Sequence, residues 1–309
     1  MTAPIIEVER LTKSYGGKRG IVDVSLEVGE GEVFGFLGPN GAGKTTTIRI
    51  LMALLRADAG RARIAGLDCW EKSIDVKRFI GYVPGEPSLD PNLTGGQILE
   101  YFANLRGGVD QSYLKKLVDR FDLDTNRKFR QYSTGNKRKV VLIQAFMHRP
   151  RVLVLDEPTS GLDPLNQQEF DAMVREARDA GHTVFFSSHV LSEVEKTCSR
   201  IGIIREGRLV RVGGIHELAE IKRYEITITF AQLVPADSFA SLEGVTSVEP
   251  LNNGAGVRLA VQGPADAVIK AAARYPVVSL TSVEPSLEDT FLRFYEADGH
   301  SSKEVAGVV

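Results

Sequence analysis

Apolar residues at Val22, Val24, Leu26 and Val28 alternate with Asp23, Ser25 and Glu27, the period of two expected of a half-buried strand. A shorter strand is expected at residues 5–8, and Val33-Phe34-Gly35-Phe36-Leu37 is a continuous apolar run entering a glycine-rich turn. Over residues 46–55 the spacing changes. Ile48, Leu51, Met52 and Leu55 recur three or four apart, which predicts an amphipathic helix. Residues 86–150 read as mostly helical, with helices expected at 97–105, 112–121 and 137–148, and with glycines and prolines at their entry and between them. Strands and helices then alternate: strand 152–155, helix 167–180, strand 184–187, helix 192–198, and a hairpin over 201–210 turning at Glu206-Gly207. Such alternation implies parallel strands covered by helices.

The texture changes near Lys222. Residues 224–230 form a clean amphipathic strand, followed by a short helix at 235–242 and strands at 245–250 and 256–261 around Asn252-Asn253-Gly254. A helix at 265–274 and a strand at 277–283 complete a βαββαβ order, that of the ferredoxin-like plait. A last helix is expected from Ser286 and a loose tail from Gly299. The expected organisation is an α/β domain over 1–221 with a helical insert at about 86–150, an accessory α+β domain over 222–298, and a flexible tail over 299–309.

Composition narrows the classes. The chain has 309 residues, 38 Lys+Arg and 40 Asp+Glu, a formal charge of −2. Residues 222–309 hold 7 basic and 11 acidic side chains, so neither part carries the basic footprint of a nucleic-acid or anionic-lipid binder, and no nucleic-acid partner is expected. Cys69 and Cys198 lie far apart and suggest neither a disulfide framework nor a zinc site. The start lacks the basic and apolar regions of a signal peptide, and no stretch approaches the ~18–20 apolar residues of a membrane helix. A soluble cytoplasmic chain is expected.

Candidate chemistry begins at Gly38-Pro39-Asn40-Gly41-Ala42-Gly43-Lys44-Thr45-Thr46, which fits G-x-x-x-x-G-K-[ST] between a strand and a helix, the context of a P-loop. Glycines let backbone N–H groups approach phosphate oxygens, and the helix N-terminus adds a favourable dipole. Lys44 offers a charge to the β- and γ-phosphates, and Thr45 a hydroxyl to Mg²⁺. The strand 152–155 ends in Asp156-Glu157, placing two carboxylates where open α/β sheets bind ligand. Asp156 suits Mg²⁺, and Glu157 suits a general base for the attacking water. In isolation the same residues are also compatible with a glycine turn and a surface acidic pair.

With Pro158-Thr-Ser-Gly161-Leu-Asp163-Pro the chain resembles the ATP-binding-cassette ATPases, the motor subunits of ABC transporters, over residues 5 to about 217. The resemblance implies a P-loop NTPase cassette with a mostly parallel core sheet, antiparallel strands and a helical insert, and ATP and Mg²⁺ as cofactors. Leu11-Thr-Lys-Ser-Tyr15-Gly16 looks like the adenine-stacking segment, with Tyr15 against the base; the bland alternative is a strand-end tyrosine packed for structure. Tyr132-Ser133-Thr134-Gly135-Asn136 stands at the family's signature, usually Leu-Ser-Gly-Gly-Gln. Ser133 and the Gly135 N–H would grip the γ-phosphate of an ATP held by a second copy, although Ser133 alone also reads as a helix N-cap. Asp163 falls in the family's D-loop, and His189, ending Ser187-Ser188-His189, at the switch histidine that contacts the γ-phosphate. Two departures stand out. Gly85 occupies the place of a glutamine that contacts Mg²⁺ and water, with Glu86 beside it, and Thr134 replaces a signature glycine. Restoring glutamine at 85 is expected to preserve or raise turnover. Gly81-Tyr82-Val83-Pro84-Gly85-Glu86 with Tyr132-Ser133-Thr134-Gly135-Asn136-Lys137, and the ending Pro285-Ser-Leu-Glu-Asp-Thr-Phe-Leu, are similar to the drug and polyketide-antibiotic efflux branch.

The function this implies is ATP-driven closure and reopening of a homodimer that powers a separate transmembrane permease, placing the chain at the cytoplasmic face of the membrane. The patch that meets the permease is expected in the insert around 86–130. Chromosome-maintenance cassettes split their two nucleotide motifs by a long coiled coil, whereas Lys44 and Asp156 are only 112 residues apart. Translation-associated cassettes carry two copies in one chain, and here there is one. A non-hydrolysing regulator is argued only by Gly85 and Thr134, against Glu157 and His189.

Overall fold

The computed structural model describes residues 4–16, 20–215 and 223–283. The chain divides into two compact units, Met1–Gly213 and Gly214–Val309, so the boundary falls earlier than the expected 221. The helix expected from Ser286 and the tail from Gly299 lie outside the described residues.

Two sheets build the first unit. Strands β1 (Ile6–Ser14), β2 (Gly20–Val28), β4 (Ala59–Ile64) and β5 (Leu67–Asp68) form an antiparallel sheet in the order β2-β1-β4-β5. The period-two strand begins at Gly20, and Asp23 takes a left-handed backbone (φ 53°) that shifts its phase. Ile21 rather than Val22 is therefore buried, before Val24, Leu26 and Val28 resume the expected face. Strand β4 has no apolar run to announce it. It is held by its register with β1, where Ile6 faces Ile64 and Val8 faces Ala62, and only those two β4 side chains are buried.

The second sheet runs β10-β9-β3-β8-β7-β6, built from β3 (Val33–Leu37), β6 (Ile80–Val83), β7 (Val152–Asp156), β8 (Thr183–Ser188), β9 (Arg200–Arg205) and β10 (Arg208–Gly214). Strands β9, β3, β8, β7 and β6 are mutually parallel, and every residue of β3, β7 and β8 is buried. Buried on both faces, they read as continuous apolar runs rather than alternation. All three point their C-terminal ends at one edge, because Leu37 pairs with Ser188 and Asp156 with Ser187. Phe34 stacks on Phe185 at 5.7 Å, and Phe36 lies 5.4 Å from the same ring, which fixes β3 against β8.

The helices of this unit are α1 (Lys44–Leu51), α2 (Ser73–Arg78), α3 (Gly95–Leu105), α4 (Gln111–Arg120), α5 (Thr134–Phe146), α6 (Pro164–Asp179) and α7 (Leu191–Thr197). Helix α1 starts at Lys44 and stops at Leu51, short of the expected 55, because Ala53 adopts a left-handed backbone (φ 52°). Thr94 and Gln97 form a capping box on α3, and Asp110 caps α4 by accepting from the N–H groups of Ser112 and Tyr113.

The second unit is a four-stranded antiparallel sheet of β11 (Arg223–Phe230), β12 (Val245–Leu251), β13 (Gly256–Gln262) and β14 (Val277–Val283), in the order β12-β13-β11-β14. Helices α8 (Asp237–Ala240) and α9 (Asp266–Ala272) complete the βαββαβ order and the strand arrangement of the ferredoxin-like plait. Its core gathers Ile226, Ile228, Phe230, Phe239, Val257, Leu259, Val261 and Val268.

Candidate functional site

The sheet edge of the first unit holds a nucleotide-sized cavity of about 380 Å³, lined by Tyr15, Gly20, residues 40–46, Arg49 and Glu157. Buried β3 delivers the chain to Gly38, whose N–H donates to Ser188 O (3.2 Å). A Cβ at Gly38 would lie 2.3 Å from Ile204 O, so only glycine lets the loop leave β3 this close to β9. Gly43, in the left-handed region (φ 111°), turns the loop into α1, whose first residues then offer their N–H groups to an anion. The Lys44 side chain folds back inside the loop, 5% exposed. Its Nζ donates to Gly38 O (2.6 Å) and Pro39 O (3.2 Å) and lies 3.1 Å from Glu157 Oε1.

Two strands across from β3, beyond β8, Asp156 ends β7 with its side chain fully buried. Ser187 Oγ donates to Asp156 Oδ1 (2.7 Å) and accepts the Glu157 N–H (3.1 Å). That hydroxyl holds Glu157 in a left-handed backbone (φ 48°), a strained state for a non-glycine residue that aims its carboxylate back across the sheet edge. Glu157 Oε2 meets His189 Nδ1 at 2.8 Å, while Oε1 faces Lys44. The three residues assigned to catalysis from sequence (Lys44, Glu157 and His189) are thus brought into one contact chain from three separate segments.

Asp156 Oδ2 is buried and accepts no hydrogen bond among the described residues. An orphaned carboxylate oxygen is costly, and a hard divalent cation removes that cost. The Asp156 oxygen and the Thr45 hydroxyl are the ligand chemistry Mg²⁺ prefers. Among the described residues no group of three His, Cys, Asp or Glu side chains is placed to hold a metal, so such an ion depends on oxygens brought by the nucleotide.

Other predicted residues lie apart from this cluster. Tyr15 is half exposed on the cavity wall, available to a flat ring. Ser133 caps α5, accepting the Asn136 N–H (3.2 Å), and is not in the lining of the P-loop cavity. Gly135 packs on the loop after β7: a Cβ there would stand 2.8 Å from Gly161 O. Asp163 caps α6, accepting the Asn166 N–H, and these hydrogen bonds hold its carboxyl below the usual range. Glu86 is exposed and does not reach the cluster, whereas Gly85 abuts it: a Cβ at 85 would come within 3.0 Å of Asp156 Oδ2. A side chain at 85 requires that carboxylate or the loop to give by a few tenths of an ångström, which argues against the expectation that glutamine there preserves or raises turnover.

Sequence reasoning missed two charged residues that organise the edge. Glu193, in the first turn of α7, accepts hydrogen bonds from Thr159 Oγ1 (2.8 Å) and Ser188 Oγ (2.6 Å), tying the loop after Glu157 to the segment bearing His189. An acid four positions after His189 was the available signal. Arg138, in the second turn of α5, is 2% exposed, and its lysine-flanked setting resembles an ordinary solvated face.

A second, larger groove of about 900 Å³ lies on the same unit, away from the phosphate loop. Its walls are mainly apolar and come from Ile74, Leu54, Tyr82, Phe102, Leu105 and Val141, with Arg106 crossing it to donate to Lys77 O and Ile80 O.

A P-loop after a buried parallel strand, with paired carboxylates leaving a second parallel strand of the same sheet, defines a P-loop NTPase. Comparison with known proteins narrows the class. The ABC transporter family pattern matches residues 21–160. The ABC transporter ATP-binding protein YhcH of Bacillus subtilis is 34% identical over 97% of this chain and 98% of its own length. Daunorubicin resistance ATP-binding protein DrrA3 of Streptomyces coeruleorubidus is 39% identical over 80% of this chain and 81% of its own. A solved structure described as the ATP-binding subunit of an ABC transporter superposes with a TM-score of 0.65 at 29% identity, covering 69% of this chain and 91% of that one. The chain belongs to the ATP-binding proteins of ABC transporters. It is an ATPase, and it binds ATP through the cassette of its first unit.

Proposed function

We propose that this chain powers an exporter of drugs or hydrophobic metabolites by binding and hydrolysing ATP between two copies of itself, against a separate transmembrane permease that holds it at the cytoplasmic face of the membrane. The observation that carries the reading is the contact chain Lys44–Glu157–His189 at the mouth of the P-loop cavity. The N–H groups of residues 40–45 and the N-terminus of α1 receive the phosphates, and the nucleotide takes over the Lys44 ammonium from Gly38 O, Pro39 O and Glu157. Tyr15 lies against the base. Freed from Lys44, the Glu157 carboxylate accepts the proton of the attacking water, with His189 holding its other oxygen and reaching the γ-phosphate. Mg²⁺ bound by Thr45 and Asp156 would neutralise charge on the β- and γ-phosphate oxygens.

Ser133 and the Gly135 N–H stand outside the chain's own cavity, on an N-terminus whose donors suit a phosphate brought by a second copy. Asp163 sits in the adjoining loop, placed to face that copy. The γ-phosphate thus bridges two chains only while intact, so hydrolysis reopens the pair. The apolar groove beside α2 and α3 is suited to an amphipathic segment of the permease. No helix among the described residues is long and apolar enough to cross a membrane. Export is supported by the resistance function named for the Streptomyces relative.

Co-sedimentation with native cell membranes tests the proposal. The full chain is expected to pellet, and the double variant Ile74→Glu with Leu105→Glu to stay in the supernatant while binding ATP within twofold of the unchanged chain. Equal pelleting of both would overturn the assignment of the groove.

A further inference from the structure

Arg138 is one of the most deeply buried charged groups of the first unit, at 2% exposure, and no carboxylate hydrogen-bonds to it among the described residues. It donates to three backbone carbonyls instead. Nε reaches Ser160 O (3.2 Å), one terminal nitrogen reaches Pro84 O (2.7 Å) and the other Gly85 O (2.5 Å). Burial pushes the guanidinium down from its ordinary value, and the charges of Asp156 and Glu157 hold it up. A planar fork with donors on all three nitrogens matches three divergent acceptors as no other side chain does.

The acceptors belong to the two segments that frame the carboxylates. Pro84 and Gly85 follow β6, and Gly85 is the residue whose backbone approaches Asp156 Oδ2 so closely that a Cβ would sit at 3.0 Å. Ser160 lies in the turn closed by its own N–H donating to Glu157 O (3.1 Å). The same turn touches the start of Arg138's own helix, since a Cβ on Gly161 would stand 3.1 Å from Thr134 Cγ2. One guanidinium therefore joins the front of α5, the Glu157 turn and the Asp156 flank.

We propose that Arg138 is a positioning residue for hydrolysis: its three carbonyl bonds make the α5 N-terminus, Asp156 and Glu157 move as one body, so that a phosphate engaged at Ser133 sets the carboxylates of the same chain. This rests on the cassette mechanism proposed above and adds a route between the two nucleotide positions that needs no side chain at 85. In a chain with glycine there, the loop carbonyls carry the connection.

Arg138→Gln and Arg138→Lys in the full-length chain, assayed with Mg·ATP for turnover and by calorimetry for ATP affinity, test the proposal. Both variants are expected to lose about tenfold to a hundredfold in kcat, the cost of ångström-scale misplacement, with the ATP Kd within twofold of the unchanged chain. The lysine variant keeps the charge and most of the volume, so it folds where the glutamine variant is at risk. It still fails in turnover, because one ammonium on a flexible stem does not reproduce a rigid three-nitrogen fork. Wild-type kcat in Arg138→Lys, or a loss of ATP affinity parallel to the loss of kcat, would overturn the proposal. Glu157→Gln run alongside separates the two layers. Wild-type turnover there overturns the assignment of the base, and wild-type turnover in the Arg138 variants overturns only the positioning role.

Discussion

The edge of the parallel sheet and the C-terminal plait are built on opposite terms. At the sheet edge Lys44, Asp156, Ser187 and Ser188 are buried together from three separate segments, and Asp156 Oδ2 and Glu157 Oε1 are left without a hydrogen bond. In the plait, the described buried side chains are all apolar. Buried polar groups lower stability unless satisfied, so a fold keeps them where they do chemistry. The contrast assigns chemistry to the first unit and leaves the second with a core whose described contacts serve folding.

The largest expected effect is at the loop lysine. Lys44→Ala removes the buried ammonium, and its ATP affinity should fall by at least about a hundredfold, roughly 3 kcal/mol, by calorimetry. An unchanged affinity would break the assignment of the cavity. The converse test lies in the plait. Phe239 is fully buried against Phe230 and Tyr275, so Phe239→Ala should cost about 3–5 kcal/mol in denaturant unfolding of the second unit. ATP affinity should stay within twofold, and a parallel loss would show that the plait takes part in the site.

Gly85→Gln is expected to do less. A Cβ at 3.0 Å from Asp156 Oδ2 forces a shift at the carboxylate, so steady-state turnover should drop several-fold, on the order of 1 kcal/mol in the barrier. A raised turnover would mean that the edge tolerates a side chain there.

The smallest effect is one of pH. Burial, with the nearby Arg106 charge, pushes His148 down from its ordinary 6.5 to about 4. Between those values the unfolded chain binds the proton and the folded chain does not, so this contribution is intact above 6.5 and is lost as the pH falls towards 4. His148→Gln lacks it. Thermal melts from pH 7 to 5 should therefore shift in favour of the variant relative to the unchanged chain, by about 2 °C or more. Parallel curves would place His148 outside the core.

What could be read from sequence follows from how local each feature is. Residues 38–46 are legible because backbone geometry, glycine placement and the following helix all lie within one segment, and β7 is legible because double burial demands an apolar run that ends where Asp156 begins. Strand β4 escaped because its stability comes from pairing with a strand far away in the chain, and α2 because only Val76 of it is buried. Arg138 and Glu193 look like solvent-facing charges on helices; their partners (Pro84, Gly85 and Ser160 for one, Thr159 and Ser188 for the other) converge only in the folded chain. The apolar groove is assembled from α2, β6, α3 and α5, and no single one of them betrays it.

The central claim is that Glu157 is the base of a site completed by a second copy. Glu157→Gln removes the negative charge while keeping the side-chain shape. Size-exclusion chromatography of this variant with Mg·ATP, paired with a turnover assay, should show a stable dimer and turnover reduced by at least about a hundredfold. A variant that stays monomeric with ATP and hydrolyses it at the unchanged rate would contradict the account.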